Sequence, residues 1–174
     1  MKTLFLLVLL TFAGISFSQG CLYSDESDKF NNTRTQTSNG SPFNYGGVSY
    51  NVYFRKTYID TTYYYTLRFA KNSAGSSSQM VNEGDKLILI LTGGSKIELS
   101  ANTTVTTTFV AQRSIVNVPY SLSEDNLFRL SQLVITDIRF YHGGGYSDIL
   151  IKKPKIQSKI INAAICISSA KWFS

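Results

Sequence analysis

Residues 48–69 read VSYNVYFRKTYIDTTYYYTLRF, and this stretch decides the fold class. Apolar and polar side chains alternate with a period of two on both sides of Asp60, which is typical of strands that bury one face. Residues 59–61 are typical of a hairpin turn. The apolar side consists of Val48, Tyr50, Val52 and Phe54 in the first strand and Tyr63, Tyr65, Leu67 and Phe69 in the second.

The polar side of this hairpin carries Tyr53, Arg55, Tyr64 and Arg68. If the strands pair in a suitable register, these four side chains share one surface. Aromatic rings beside guanidinium groups suit the recognition of a sugar, an acidic peptide or a protein. A structural explanation stays open, because Tyr favours strands and an arginine can cover its ring. We predict these four as binding residues.

The chain beyond the hairpin continues in short strands. Residues 86–91 are apolar on both faces, which predicts a central strand, and Pro119 favours a sheet edge. Ser123 is typical of a helix N-cap, and Pro154 suits the first turn of a C-terminal helix. We therefore expect a mostly β fold, an antiparallel sandwich or open barrel of seven to eight strands, with one short helix and a C-terminal helix.

The domain organisation follows from composition. A length of 174 residues suits one domain, and 43% apolar with 16% charged residues excludes a disordered chain. Residues 24–47 are rich in Ser, Asn, Thr and Gly, which is typical of a loop or a flexible arm. We expect a polar N-terminal arm over residues 19–47 and a single β-rich domain over residues 48–174.

The N-terminus has the pattern of a secretory signal peptide. Lys2 precedes a short apolar run, and Ser16 and Ser18 occupy the small positions of a cleavage site. The run is too short to span a bilayer, and no later segment is longer. We expect residues 1–18 to be removed and the protein to be secreted or periplasmic, with no transmembrane helix.

The two cysteines lie near opposite ends of the exported chain, Cys21 after the signal and Cys166 in the last helix. An oxidising compartment makes a disulfide between them the first expectation. A lipid anchor on Cys21 is the alternative, since Gly20 fits the position before a lipidated cysteine although the usual Leu is missing. Free thiols are the third possibility.

Other chemistry finds little support in the sequence. A formal charge of +6 without a long Lys/Arg run does not indicate nucleic-acid binding. His142-Gly143-Gly144-Gly145 resembles an esterase oxyanion segment, but the chain has one histidine and no G-x-S-x-G, so a hairpin turn is expected there. Asp25, Glu26 and Asp28 lack calcium-loop spacing. We expect no metal, no cofactor and no catalytic residue.

An enzyme remains the alternative function. A glycosidase needs two carboxylates roughly 5 to 9.5 Å apart across a cleft. Glu98, Asp137 and Asp148 are the candidates outside turns and helix starts. Asp137 shares a strand face with Arg139, which favours a surface ion pair instead. An inhibitor that acts through residues 72–78 and a structural envelope protein are further alternatives.

Three segments carry a family resemblance. They are the signal ending in Phe17-Ser18-Gln19, the two strands around residues 84–99, and Tyr120-Ser121-Leu122-Ser123 before a short helix. They resemble small secreted proteins of Bacteroidetes-type bacteria, over roughly residues 46–170. The resemblance implies an envelope or extracellular location and no particular activity. We expect an exported binding domain whose partner is a protein or a glycan.

Overall fold

A computed structural model describes residues 22–75 and 78–170. Within these residues the chain forms thirteen strands and two helices. In chain order they are β1 (Leu22–Asp28), β2 (Thr33–Ser38), β3 (Ser41–Tyr45), β4 (Val48–Ile59), β5 (Thr62–Ala74), β6 (Met80–Val81), β7 (Lys86–Leu91), β8 (Lys96–Ser100), β9 (Val105–Thr106), β10 (Thr108–Val110), β11 (Arg113–Leu122), α1 (Glu124–Gln132), β12 (Ile135–His142), β13 (Gly145–Leu150) and α2 (Pro154–Ser169).

The largest sheet is a curled, antiparallel half-barrel with the strand order β1-β2-β4-β5-β11-β10. The predicted hairpin forms its centre, with β4 and β5 paired from Ser49 opposite Asn72 to Ile59 opposite Thr62. Asp60 turns the chain with a φ of 55°, a conformation that Asp tolerates better than most residues. The mostly β class expected from the sequence is confirmed, with more strands than the seven or eight predicted.

The segment predicted as a loop or arm differs in the structure, because residues 22–45 contain β1, β2 and β3. β2 and β3 both pair with β4, and the chain between them bulges at Ser38-Asn39-Gly40. The Phe54 N–H at this break donates to the Ser38 hydroxyl instead, at 2.9 Å. Backbone pairing holds these polar strands in place, so apolar periodicity could not predict them.

A smaller antiparallel sheet has the strand order β13-β12-β7-β8. The apolar strand β7 lies inside it, as predicted. The histidine-glycine segment forms the turn between β12 and β13, so the hairpin interpretation is confirmed. His142 accepts the Gly144 N–H at Nδ1, at 3.3 Å, and its Nε2 lies 3.2 Å from the Ser147 hydroxyl.

The two helices begin where the sequence predicts. The Ser123 hydroxyl accepts the Asn126 N–H at 3.1 Å and caps α1, and Pro154 opens α2. The apolar side of α2 packs against β2, β3 and β4. At the far end of this helix, the buried Lys56 ammonium donates to the Ala170 carbonyl at 3.0 Å. A cation suits this position because carbonyls and the negative helix dipole end there.

The main core joins the two sheets. Phe69 on the half-barrel and Phe140 on the smaller sheet are fully buried, and their ring centroids lie 5.1 Å apart. The remaining largest buried side chains, Tyr120, Phe54, Leu67, Leu87, Leu89, Leu91, Ile97, Leu127, Leu130 and Ile135, come from strands of both sheets and from α1.

Three further expectations concern the strands around the half-barrel and their connections. The strand predicted near residues 103–112 divides into β9 and β10. Thr107 lies between these two strands, and its hydroxyl forms hydrogen bonds with the backbone of Gln79. Asn72, assigned to a polar connection, belongs to β5, and residues 76 and 77 lie outside the described residues. Pro119 lies on β11, which is an inner strand between β5 and β10, so the predicted edge strand is not found. The proline lies beyond residues 113–115, which are the part of β11 that pairs with β10, and its carbonyl accepts the Asn102 N–H at 2.9 Å.

The cysteine pairing stays a prediction, because Cys21 lies outside the described residues, as does the predicted signal peptide. Cys166 is buried on α2. Leu22, which follows Cys21, pairs with Ser38 at the end of β2, and β2 contacts α2. This placement brings the start of β1 toward the helix that carries Cys166.

We expect the replacement Cys166→Ser to lower the free energy of unfolding of the exported protein by roughly 4 kcal/mol, as loss of a long disulfide loop predicts. Denaturant titration with and without reductant measures the effect. Reductant should destabilise the natural protein and leave the variant unchanged. Indifference of the natural protein to reductant would contradict the disulfide.

We expect protonation of His142 to destabilise the fold. Burial, with a smaller contribution from the Lys71 charge, lowers the pKa of His142 below 6.5. The contribution of neutral His142 to the free energy of unfolding is therefore fully present above pH 6.5, and it is lost as the pH falls toward the pKa of the folded state. Protonation also removes the Nδ1 acceptor of the Gly144 N–H. Denaturation of the natural protein and His142→Gln at pH 7.5 and 5.5 should show their difference shrinking at the lower pH.

Candidate functional site

The register of the half-barrel brings three predicted binding residues together. Tyr53 on β4 lies opposite Arg68 on β5, and Arg55 lies opposite Thr66. Paired residues share a face of the sheet, and diagonal neighbours lie about 7 to 8 Å apart. Tyr53, Arg55 and Arg68 are therefore neighbours on the face that points away from the core.

Two asparagines complete the group, and the sequence interpretation did not single them out. Asn51 on β4 and Asn117 on β11 lie in one row, on either side of Ala70 on β5. The alternation of β4 already places Asn51 on the side of Tyr53 and Arg55, whereas only the pairing of β11 with β5 places Asn117 there. We call Asn51, Tyr53, Arg55, Arg68 and Asn117 the arginine face.

The Tyr53 side chain extends across this face. Its hydroxyl accepts a hydrogen bond from the Asn117 carboxamide at 2.8 Å. The two residues belong to β4 and β11, which are not neighbours, because β5 lies between them. The phenol ring must therefore reach over β5, along the sheet surface.

The arginine face gathers polar atoms that have no protein partner. Six buried side-chain nitrogen or oxygen atoms in the described residues lack a hydrogen bond, and four of them belong to this face. Buried polar groups nearly always have a hydrogen-bond partner, so four unpaired atoms on one face need a physical explanation. The four atoms are Nε of Arg55, Nε of Arg68, Oδ1 of Asn51 and Oδ1 of Asn117.

The charges on this face are also unbalanced. The ion pairs formed within residues 22–75 and 78–170 involve neither Arg55 nor Arg68. Burial and the charge of Arg68 lower the pKa of Arg55, and Tyr53 and Glu26 oppose this. Arg139 shows the contrast, because Asp148 accepts two hydrogen bonds from it at 2.7 and 2.8 Å.

A cavity of about 320 Å³ opens at one side of the arginine face. It lies at the break between β2 and β3, where Ser38 and Gly40 depart from the β4 ladder. Arg55, Tyr53 and Asn51 line it from β4, and the remaining lining residues are Ser24, Glu26 and Thr37. The bulge that follows β2 therefore gives this face of the half-barrel a concave edge.

Tyr64, the fourth predicted residue, lies on the same face, nearer the hairpin turn. It pairs with Thr57 and is 53% exposed. Three pairs separate it from Arg68 along β5, but it is a diagonal neighbour of Arg55, whose partner is Thr66. Tyr64 also lines a groove of about 1010 Å³ that contains Lys56 and Glu124.

The carboxylates of the hydrolase alternative lie on the smaller sheet. Pairing places Glu98, Ile88, Arg139 and Asp148 in one row across four strands, so Glu98 and Asp148 are roughly 14 Å apart at strand spacing. Asp137 is a diagonal neighbour of Asp148, about 7 to 8 Å away. Lys96 lowers the pKa of Glu98, and Arg139 lowers that of Asp148. A general acid needs a raised pKa, so neither Glu98 nor Asp148 has the electrostatics of that role.

Residues 22–75 and 78–170 contain no group of three or more His, Cys, Asp or Glu that could hold a metal ion. Asp25 binds Arg34 and Gln36, and Asp28 binds the turn at residues 30–31. Of the two described helices, neither has the length and apolar character needed to cross a membrane.

Comparisons of the chain with protein-family models, curated proteins and solved structures gave no match.

We expect Arg68→Gln to leave the unliganded protein as stable or more stable, by about 0.5 kcal/mol, because it removes a like-charge neighbour of Arg55. Denaturation at low and at 1 M salt measures this, and screening should shrink the gain. Arg139→Gln is the matched control, since it breaks an ion pair and should not stabilise. A marked loss of stability in Arg68→Gln would mean that the arginine supports the fold.

Proposed function

We propose that the protein is an exported, non-enzymatic binding domain that recognises a protein or a glycan at the cell envelope, in the periplasm or outside the cell. The signal-peptide pattern of residues 1–18 and the resemblance to small secreted proteins support export. The arginine face is the proposed binding surface. Tyr64 lies outside its centre and is retained only as a peripheral residue.

One observation carries this proposal. Two arginines without a carboxylate partner lie side by side among unpaired carboxamide oxygens, on a face that contributes nothing to the core. A folded chain gains little from such an arrangement, because repulsion and unmet hydrogen bonds both oppose it. A ligand that supplies the missing partners explains why these residue types occur together.

We expect the mature domain to capture a specific partner from envelope extract through this face. The bait is compared with Arg55→Gln/Arg68→Gln, and captured proteins and glycans are identified by mass spectrometry. The double variant should lose the partner, because it removes both positive charges and their donor groups. The pair Arg129→Gln/Arg139→Gln is the control, as it removes two arginines elsewhere and should retain the partner.

Circular dichroism establishes that all baits are folded. Equal capture by the natural protein and both double variants would place recognition elsewhere, and no specific capture by any bait would remove the proposal. Hydrolysis of a substrate panel that is lost in Glu98→Gln or Asp137→Asn would favour the enzyme instead.

A further inference from the structure

The arginine face has the chemistry of a site for an acidic sugar. We propose that it binds the uronic acid residues of an acidic polysaccharide, an inference that rests on the proposed binding function and adds the class of ligand. The carboxylate lies against Arg55 and Arg68, the ring against Tyr53, and hydroxyl groups against Asn51 and Asn117. Three features of the face support this assignment.

The first feature is the pair of arginines. Each guanidinium offers several N–H donors in a fixed plane that matches a carboxylate. Arg55 and Arg68 are diagonal neighbours with no acidic partner among the described ion pairs. An anion placed between them replaces repulsion by attraction, which selects an acidic ligand over a neutral one.

The second feature is the mixture of unpaired groups. The arginines need acceptors, but the Oδ1 atoms of Asn51 and Asn117 need donors. An isolated carboxylate supplies acceptors only, and the hydrogen phosphate dianion has a single hydroxyl donor. A uronic acid supplies both, since its carboxylate accepts and its ring hydroxyls donate. This composition favours a sugar acid over an inorganic anion.

The third feature is the placement of the Tyr53 ring. Its bond to Asn117 holds the ring over β5, along the sheet surface and beside Arg68. An aromatic ring held in this way is a flat apolar surface with polar groups around it. The C–H face of a pyranose ring packs on such a surface, whereas an acidic peptide would instead pair through its backbone with a strand edge.

Isothermal titration calorimetry tests the proposal on the mature domain. The probes are oligogalacturonate, oligomannuronate and a hyaluronate oligosaccharide. Methyl-esterified oligogalacturonate keeps the hydroxyls and removes the charge, poly-L-glutamate keeps the charge and removes the sugar, and inorganic phosphate keeps only an anion. We expect at least one uronate to bind, and each comparison probe to bind about tenfold more weakly or not at all.

Substitutions locate the binding. Arg55→Gln, Arg68→Gln and Tyr53→Ile should each weaken uronate binding by about tenfold, because each removes one partner of the sugar acid. Tyr53→Ile keeps a good strand former, which guards against loss of the sheet. Arg139→Gln is the matched control, because this arginine also lies against a tyrosine ring, at 4.3 Å, but has its carboxylate partner. Its affinity should equal that of the natural protein.

The outcomes separate this inference from the proposed function. If no uronate binds, or if polyglutamate or phosphate binds as tightly, the sugar-acid assignment is wrong, while capture of a partner by the arginine face would still support a binding domain. If the ester binds as well as the acid, the role of the arginines is wrong. If neither uronates nor extract components bind, both the sugar-acid assignment and the proposed binding function are wrong.

Discussion

The pairing of β4 with β5 is the constraint on which the rest of the structure depends. Its unbroken register from Ser49 to Ile59 fixes which side chains face the core and which face away. A shift of one residue would exchange the two sets, since the side-chain period of a strand is two. Tyr50, Val52 and Phe54 are buried by this register, and the same register assembles the arginine face on the other side.

The core side of the half-barrel holds the remaining elements in place. Phe69 meets Phe140 of the smaller sheet, and α2 packs along β2, β3 and β4. Lys56 is the one charged side chain among the buried described residues, and its contacts with the Ala170 carbonyl and the Tyr63 ring, 4.6 Å away, connect the end of α2 to the hairpin. Burial lowers the pKa of this lysine, yet the helix end and the ring both favour its charge.

The face of the half-barrel that points away from the core differs in how its charged and polar side chains are paired. Arg34 and Arg139 have carboxylate partners with short hydrogen bonds, whereas Arg113 and Arg129 have no ion pair in the described chain. On the arginine face the two guanidiniums have each other as neighbours, and two carboxamide oxygens beside them are unpaired. Polar groups that lack hydrogen-bond partners commonly lie at functional sites, because a binding site lowers the folding stability of the free protein while it improves recognition of a ligand. The bulge between β2 and β3 adds depth at this side.

The sequence by itself determined the hairpin, the inner strand β7, the glycine turn and the starts of both helices, because period-two alternation, capping and turn residues act over short distances. It also placed Tyr53, Arg55 and Arg68 on one side of two strands. Only the tertiary structure decided that β1 to β3 join the sheet and that Asn117 reaches Tyr53 across β5. These depend on pairing between strands distant in sequence, which leaves no local pattern to read.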